Sequence, residues 1–257
     1  MSAARVTKAT KIALGIAVAG ACCGALALAS AGGARLAWAW TSGACAVAAG
    51  AYLANRPAWL GKPAGRFGPR APFMLPYLVA YRIASALTRW WRGTDAPTQI
   101  VPGLWVGGRL DARSFPAGVT HVVDLVAEYP APRWARVLPG YRTLLVLDGG
   151  KPPAPERFVE LAHELRDVTG GVLVHCDSGR GRAPTMAAAI LVARGVAPDV
   201  HAAVALIRAR RPVASPTRTD VAFLEAVAPR LRAQDGRHRL RRHAGDARTD
   251  RYRSRGA

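Results

Sequence analysis

The chain has 257 residues, enough for one ordinary domain plus additional segments. Its 36 Lys and Arg against 16 Asp and Glu give a formal net charge of +20. This charge favours anionic partners, namely membrane phospholipids, phosphorylated ligands or nucleic acid. An arginine-biased genome is an alternative explanation for the excess of arginine residues. Three of the four cysteines lie in apolar N-terminal segments, so Cys176 is the single thiol of the remaining chain and a disulfide framework is excluded there.

Two apolar runs near the N-terminus predict a transmembrane hairpin. Residues 12–34 and 36–54 are each long enough to cross a bilayer as a helix, and only Arg35 separates them. Gly20 and Gly24 form a GxxxG pattern that favours close helix packing. An alternative interpretation takes the first run as a signal peptide with a cleavage site near 29–31, which leaves 36–54 as a single anchor.

Basic residues flank the hairpin on both sides and predict its orientation. They are Arg5, Lys8 and Lys11 before the first run and Arg56, Lys62, Arg66 and Arg70 after the second. The positive-inside rule therefore places both ends, and the rest of the chain, on the cytoplasmic side of the inner or plasma membrane.

Residues 71–92 are apolar but interrupted by Pro76, Arg82 and Arg89, and they end with the tryptophans 90 and 91. This pattern predicts either an interfacial amphipathic helix or a helix packed on the following domain.

From about residue 97, short β-rich runs alternate with helical periodicity, which indicates an α/β domain. We predict strands at 100–101, 104–106, 121–126, 142–147 and 172–175. One predicted helix begins at Pro155. Three more cover 183–194, 199–210 and 217–233, and Ser215 and Pro216 supply a cap and a first-turn proline for the last of them. The predicted organisation is thus a hairpin at 1–56, a basic linker with a juxtamembrane helix at 57–96, a catalytic domain at 97–233 and a disordered basic tail at 234–257.

The stretch 172–185 carries the chemistry, because it combines a buried strand, a glycine-containing turn and a helix. Backbone N–H groups at a helix N-terminus converge on an anion, so the predicted phosphate-binding residues are Asp177, Ser178, Gly179, Arg180, Gly181 and Arg182. Arg182 follows Cys176 by six residues, and its planar guanidinium can hold two phosphoryl oxygens. The same dipoles favour the thiolate form of Cys176, which is the attacking nucleophile.

The motif His175-Cys176-x-x-Gly179-x-x-Arg182 is similar to the signature of the dual-specificity branch of the protein tyrosine phosphatase superfamily. The resemblance covers about 97–228 and includes Arg211-Pro212 before the last helix. It implies an α/β fold with a protein-tyrosine-phosphatase-like mixed sheet flanked by helices, preceded here by the all-α membrane hairpin. It also implies a general acid on a movable loop, a place that Asp148 occupies. His175 is expected to support the phosphate loop and the thiolate.

Ala183 departs from the family pattern, which usually has Ser or Thr directly after the arginine. A hydroxyl at that position helps phosphoenzyme breakdown, so slow turnover is expected, although the plant glucan phosphatases resemble this chain in carrying Ala-Pro there.

The sequence therefore predicts a membrane-anchored, cysteine-dependent phosphatase, a phosphoric monoester hydrolase that forms a cysteinyl-phosphate on Cys176. Its predicted substrate is a phosphorylated protein or a phospholipid headgroup: Arg180 favours the lipid, and Asp177 opposes it. The alternative is a catalytically silent phosphate-binding membrane adaptor. No metal, cofactor or specific nucleic-acid partner is predicted.

Overall fold

A computed structural model of the chain describes residues 7–62, 66, 68–92 and 96–233. The predicted basic tail at 234–257 lies outside these described residues.

A five-stranded mixed sheet forms the centre of the α/β domain. Its strands are β1 (Thr98–Val101), β2 (Leu104–Gly107), β3 (Val119–Val126), β4 (Gly140–Val146) and β5 (Gly171–His175). Their order in the sheet is β1-β2-β5-β3-β4, in which only the β1–β2 pair is antiparallel. All five predicted strands are confirmed. Because β3, β4 and β5 are parallel, their carboxyl ends lie at one edge of the sheet.

Eight α-helices accompany the sheet in the described part of the chain. They are α1 (Lys8–Ala29), α2 (Gly32–Leu53), α3 (Ala71–Arg92), α4 (Arg133–Arg136), α5 (Pro155–Glu164), α6 (Arg182–Ala193), α7 (Val200–Arg210) and α8 (Arg218–Arg232). Short 3-10 turns cover Pro57–Leu60 and Ala112–Ser114. The predicted cap of α8 was wrong: Thr217 caps this helix, since its hydroxyl accepts from the Asp220 N–H while the Asp220 carboxylate accepts from the Thr217 N–H.

The helix α6 is the centre of the hydrophobic core. Every residue from Ala183 to Ala193 is buried, and these side chains pack against α5, α7, α8 and the inner face of the sheet. A helix that is apolar on all sides must be enclosed by other elements. This enclosure fixes the first turn of α6, where Arg182 lies, relative to the end of β5.

Helices α1 and α2 form a hairpin, with the turn at Ser30–Ala31. A Cβ on Gly20 would lie 2.8 Å from Cys45 Cβ, so the two helices touch where the glycine pattern predicted close packing. By length and composition, α1 is the one described helix that could cross a membrane, a property it shares with signal sequences because it lies near the N-terminus. The predicted second span, 36–54, is helical and belongs to α2, which begins at Gly32 and so includes Arg35 as well as Thr41 and Ser42. Helix α2 does not meet the length and hydropathy criteria for a membrane span that α1 meets.

The base of this hairpin packs on the α/β domain. Ala9, Ala13 and Tyr52 share one buried cluster with Ala127 and Leu147, which lie just beyond the ends of β3 and β4. Helix α3 joins the same cluster through Met74, Tyr77 and Leu78. The carboxyl edge of the sheet is therefore covered by the N-terminal helices.

Lys62 extends from the segment after α2 into the α/β domain. Its side chain is 2% exposed, and its Nζ lies 2.8 Å from the Asp124 carboxylate on β3 and also donates to the Val126 carbonyl. Sequence analysis treated Lys62 as a membrane-flanking charge, whereas the structure buries it in an ion pair.

Candidate active site

Three chemically active side chains meet at the carboxyl edge of the sheet. Cys176 follows β5 directly, Glu128 lies two residues beyond β3, and Asp148 lies two residues beyond β4. Since β4, β3 and β5 are neighbours in that order, the topology brings a thiol and two carboxylates to one place.

The loop from Cys176 to Arg182 curls around the Cys176 sulfur. The Gly179 N–H donates to Cys176 Sγ at 3.2 Å, a contact that stabilises a thiolate. Gly179 has a φ of +66°, and a Cβ there would lie 2.7 Å from the Gly107 carbonyl carbon, so only glycine fits. Gly181 has negative φ and open space around it, so the backbone imposes no such need at that position.

The rest of the domain holds this loop from both sides. Arg211 is buried, and its Nε donates to the Gly179 carbonyl at 3.0 Å while its Nη1 donates to Thr98 Oγ1 at 2.8 Å. The Arg109 N–H donates to the Asp177 carbonyl at 3.1 Å. These bonds fix the loop before any ligand arrives, which is the preorganisation that an anion site needs.

Arg182 is held by Glu128, a residue that the sequence analysis missed. Its Nη1 lies 2.9 Å from Glu128 Oε2 and 2.6 Å from the Val146 carbonyl oxygen. Glu128 is fully buried and also accepts from the Asp148 N–H at 2.7 Å and the Tyr52 hydroxyl at 3.2 Å. The sequence does contain one indication of Glu128: it follows the predicted buried strand β3, and β3 is the neighbour of β5, the strand that precedes Cys176.

Asp148 lies beside the phosphate loop and contacts a residue of α1. Its carboxylate accepts two bonds from Lys8 Nζ, at 2.8 and 2.9 Å, and its Oδ1 lies 4.0 Å from Arg182 Nη2. Burial by itself raises the pKa of Asp148, but the positive charges of Arg182 and Lys8 outweigh burial and hold that pKa below its ordinary value. In this arrangement Asp148 is a carboxylate at neutral pH.

The Asp177 carboxylate accepts hydrogen bonds from several neighbouring side chains. It accepts from the Ser85 hydroxyl at 2.9 Å and the Tyr129 hydroxyl at 2.9 Å, and it lies 3.4 Å from Arg89 Nη1. Two of these partners belong to α3. The negative charge that was expected to oppose a bound phosphate is therefore compensated by these partners.

His175 and Asp124 form a buried pair behind the phosphate loop. His175 Nε2 lies 3.4 Å from Asp124 Oδ1, and the pair is completed by Lys62. Burial lowers the pKa of His175 even though Asp124 opposes that effect. His175 is thus neutral at pH 7 and lies behind the loop that follows Cys176. Its supporting role stays a prediction.

Ala183 is fully buried in the first turn of α6 and offers no hydroxyl. The hydroxyl of Thr185 donates to the Gly181 carbonyl at 2.9 Å. Thr185 is thereby bonded within its own helix and does not replace the absent hydroxyl at position 183.

Together these groups enclose a cleft suited to phosphoryl transfer. Cys176, Asp148, Arg180 and Arg182 all line this cleft. In-line attack on a phosphate monoester requires a cysteine nucleophile, an arginine that binds the phosphoryl oxygens and a carboxyl group that can donate a proton, and this cleft contains all three residue types. Among the described residues, no group of three or more His, Cys, Asp or Glu side chains is arranged to hold a metal ion.

Comparison with known proteins places the α/β domain in a family. Residues 109–241, just over half of the chain, match the family described as PTP-SAK: Swiss Army Knife protein, DSP-PTPase phosphatase domain. No protein among those with curated functions matches the chain significantly.

Several solved structures are similar to this part of the chain. Human DUSP28 is 22% identical with a TM-score of 0.43, over 54% of this chain and 97% of its own. A mouse putative dual specificity phosphatase is 26% identical with a TM-score of 0.44, over 54% of this chain and 89% of its own. PTPMT1 in complex with PI(5)P is 16% identical with a TM-score of 0.47, over 53% of this chain and 97% of its own.

Proposed function

Because this chain belongs to the Swiss Army Knife protein family with a DSP-PTPase phosphatase domain, we propose that it hydrolyses phosphate monoesters through a cysteinyl-phosphate on Cys176. The observation that carries the proposal is the Gly179 N–H bond to Cys176 Sγ in a loop that ends on Arg182. In this proposal, residues 177–182 bind the phosphate through backbone N–H groups and the Arg182 side chain.

The first chemical step breaks the bond between phosphorus and the ester oxygen. The Cys176 thiolate attacks phosphorus in line, and the departing oxygen takes a proton from Asp148. Asp148 must be protonated for this step. A phosphate dianion bound beside Asp148 favours the protonated form of this acid. The negative charge of the phosphate repels the carboxylate and also neutralises the positive charge of Arg182.

The second step releases inorganic phosphate. Water attacks the phosphocysteine, Asp148 accepts a proton from that water, and the Cys176 thiolate leaves. Ala183 lacks the hydroxyl that would stabilise this leaving thiolate, so we propose that dephosphorylation of the enzyme is the slower step.

We also propose that the α1–α2 hairpin anchors the catalytic domain to the cytoplasmic face of the membrane. The length and apolar character of α1 support membrane crossing. Both ends of the hairpin contact the same domain, Lys8 through Asp148 and Tyr52 through Glu128. If α1 crosses the bilayer, α2 must therefore cross back.

The test of the enzymatic proposal uses the purified full chain in nanodiscs and an aryl phosphate such as p-nitrophenyl phosphate. Steady release of the phenol is expected, with complete loss in Cys176→Ser and full retention in Cys22→Ser, which alters an exposed thiol of α1. An inert wild-type chain that still binds phosphate would support the adaptor instead, and full activity in Cys176→Ser would exclude the proposed nucleophile.

A further inference from the structure

Helix α3 carries apolar side chains on two opposite faces. One face packs on the protein through Met74, Leu78 and Tyr81. The other face, called here the outer face of α3, consists of exposed side chains spaced by three or four residues: Leu75, Val79, Ile83, Leu87 and Trp90. Its members range from 47% to 85% exposed. An apolar stripe of this length on a soluble surface requires a partner.

The partner that fits the outer face of α3 is a lipid bilayer. The helix begins beside the hairpin, where Trp40 Nε1 donates to the Phe73 carbonyl at 2.7 Å. Leu36 and Trp38, which lie within about one helical turn of Trp40 on α2, are also exposed, so apolar side chains are exposed on both helices that meet at this contact. Trp90 and Trp91 end the stripe, and tryptophan favours the level of the lipid headgroups.

The opposite side of the same helix forms a wall of the catalytic cleft. Tyr81, Ser85 and Arg89 of α3 line the cleft, and the first turn of α1 lines it too, through Lys8 and Thr10. A molecule that reaches Cys176 along these walls passes between two helices whose outer surfaces are apolar. The cleft thus opens beside the surface that the bilayer is expected to cover.

The charge of the cleft matches an anionic headgroup. Its basic lining residues are Lys8, Arg82, Arg89, Arg109, Lys151, Arg180, Arg182 and Arg218, against the four acidic residues Asp111, Asp148, Asp177 and Asp220. The negative charge of Asp177, which the sequence analysis took as unfavourable for a lipid phosphate, is compensated by contacts with Ser85, Tyr129 and Arg89. Asp177 is therefore compatible with a lipid phosphate in the cleft.

We infer that the substrate is a phosphate monoester carried on a membrane lipid, and that its headgroup enters the cleft between α1 and α3 while its acyl chains stay in the bilayer. This inference rests on the proposed phosphatase function and names its substrate class. A bilayer-bound enzyme meets such a lipid at a high effective concentration, which a soluble phosphoprotein does not share.

The first experiment compares substrates on the full chain reconstituted in phosphatidylcholine vesicles. Phosphate release is measured from phosphatidic acid, phosphatidylglycerophosphate and a phosphatidylinositol monophosphate in the vesicles, and from soluble glycerol 3-phosphate, a phosphotyrosine peptide and p-nitrophenyl phosphate. We expect at least one lipid to exceed both glycerol 3-phosphate and the peptide in kcat/KM by roughly tenfold or more. Preference for the peptide, or equal rates on the lipids and glycerol 3-phosphate, would overturn the inference.

The second experiment tests the role of α3 with a matched pair of double variants. Ile83→Asn with Leu87→Asn changes the outer face of α3, while Val137→Asn with Val196→Asn changes two exposed valines elsewhere on the domain. We expect the α3 variant to lose roughly tenfold in lipid hydrolysis and to keep its rate on p-nitrophenyl phosphate, and the control to keep both.

Three results of these experiments separate the inference from the function on which it rests. Undiminished lipid hydrolysis in the α3 variant, or an equal loss on lipid and aryl phosphate, would contradict the membrane route. Activity on the aryl phosphate with none on any lipid would refute the substrate class alone. Inactivity on every phosphate monoester would refute the proposed function itself.

Discussion

At the scale of single residues, Glu128 fixes the position of the Arg182 side chain, which is proposed to bind the phosphate. It holds Nη1 of the guanidinium and, through the Asp148 N–H, the start of the acid loop. We expect Glu128→Gln to lower kcat/KM by about 10- to 100-fold, because a weaker bond lets Arg182 leave the productive geometry. Steady-state kinetics on an aryl phosphate measure this, with the exposed Glu160→Gln as the matched control. Unchanged kinetics would show that the phosphate loop positions Arg182 without Glu128.

Lys8 stabilises the carboxylate form of Asp148, which is the wrong protonation state for a general acid. Removing that positive charge raises the pKa of Asp148, so the acid stays protonated to higher pH. For Lys8→Gln we therefore expect the basic limb of the pH profile of kcat/KM to move to higher pH. Lys11→Gln, an exposed change in the same helix, is the control and should leave the limb in place. A limb that stays fixed in Lys8→Gln would mean that Asp148 does not donate the proton.

Ala183 offers a test of the slow second step. In Ala183→Ser a hydroxyl is placed in the first turn of α6, where it can donate to the leaving thiolate of Cys176. We expect kcat to rise about tenfold, equivalent to ~1.4 kcal/mol of barrier, and the pre-steady-state burst of phenol to diminish. Rapid-quench measurements of the phosphoenzyme check this. A burst of unchanged size would place the slow step elsewhere.

At the scale of elements, Lys62, which lies between α2 and α3, is buried against the α/β domain. Lys62 pairs with Asp124, and Asp124 in turn contacts His175 just before the nucleophile. Burial raises the pKa of Asp124, but the positive charge of Lys62 and the hydrogen bonds from Lys62 and Tyr141 outweigh that effect and keep the pKa below its ordinary value, so Asp124 stays charged. The linker thereby supports the phosphate loop from behind.

Loss of one member of this buried pair is expected to be costly. Lys62→Met keeps the length of the side chain but leaves the Asp124 carboxylate without its cation, which should lower the free energy of unfolding by about 3–5 kcal/mol. Chemical denaturation measures the change, and the exposed Lys151→Met should be within ~0.5 kcal/mol of wild type. If Asp124→Asn in the Lys62→Met background fails to restore part of the stability, the two residues are not energetically coupled.

Local patterns predicted the elements well, and contacts between distant segments explain what was missed. The β-rich runs and the Cys176–Arg182 spacing predicted β5, the phosphate loop and α6, because strand, turn and helix are adjacent in sequence. The roles of Glu128 and Lys62 were not predictable in this way, since each depends on a partner at least 54 residues away. The Thr217 cap was missed because Ser215-Pro216 carries the same local signal two residues earlier.

At the scale of the whole molecule, the hairpin and the catalytic domain contact each other through polar residues as well as apolar ones. Helix α3 packs on the domain, as one of the two sequence-based interpretations predicted, and its outer face is apolar and exposed. The interfacial placement of this helix stays a prediction. The arrangement places the proposed active site at the end of the hairpin, where α1 begins and α2 ends.

The proposed topology predicts which positions a membrane-impermeant reagent can reach. If both helices cross the membrane as proposed, short epitope tags at either end of the full chain should be inaccessible in intact cells, and a tag inserted at Ser30–Ala31 should be accessible. Antibody labelling before and after permeabilisation measures this. The mass of the purified chain is the complementary check, since loss of residues 1–31 would show that α1 is a cleaved signal.

The number of hydrogen-bond donors on Arg182 limits how many acceptors this side chain can hold. A guanidinium has five N–H groups, and both of those on Nη1 point away from the cleft, toward Glu128 and the Val146 carbonyl. In the proposed function, the two phosphoryl oxygens are then bound by the N–H groups of Nη2 and Nε. A lysine has three N–H groups on one nitrogen, so it cannot hold the two protein acceptors and two phosphoryl oxygens together. If Arg182 binds phosphate as proposed, the number of N–H donors on the side chain, and not its charge alone, requires arginine at this position.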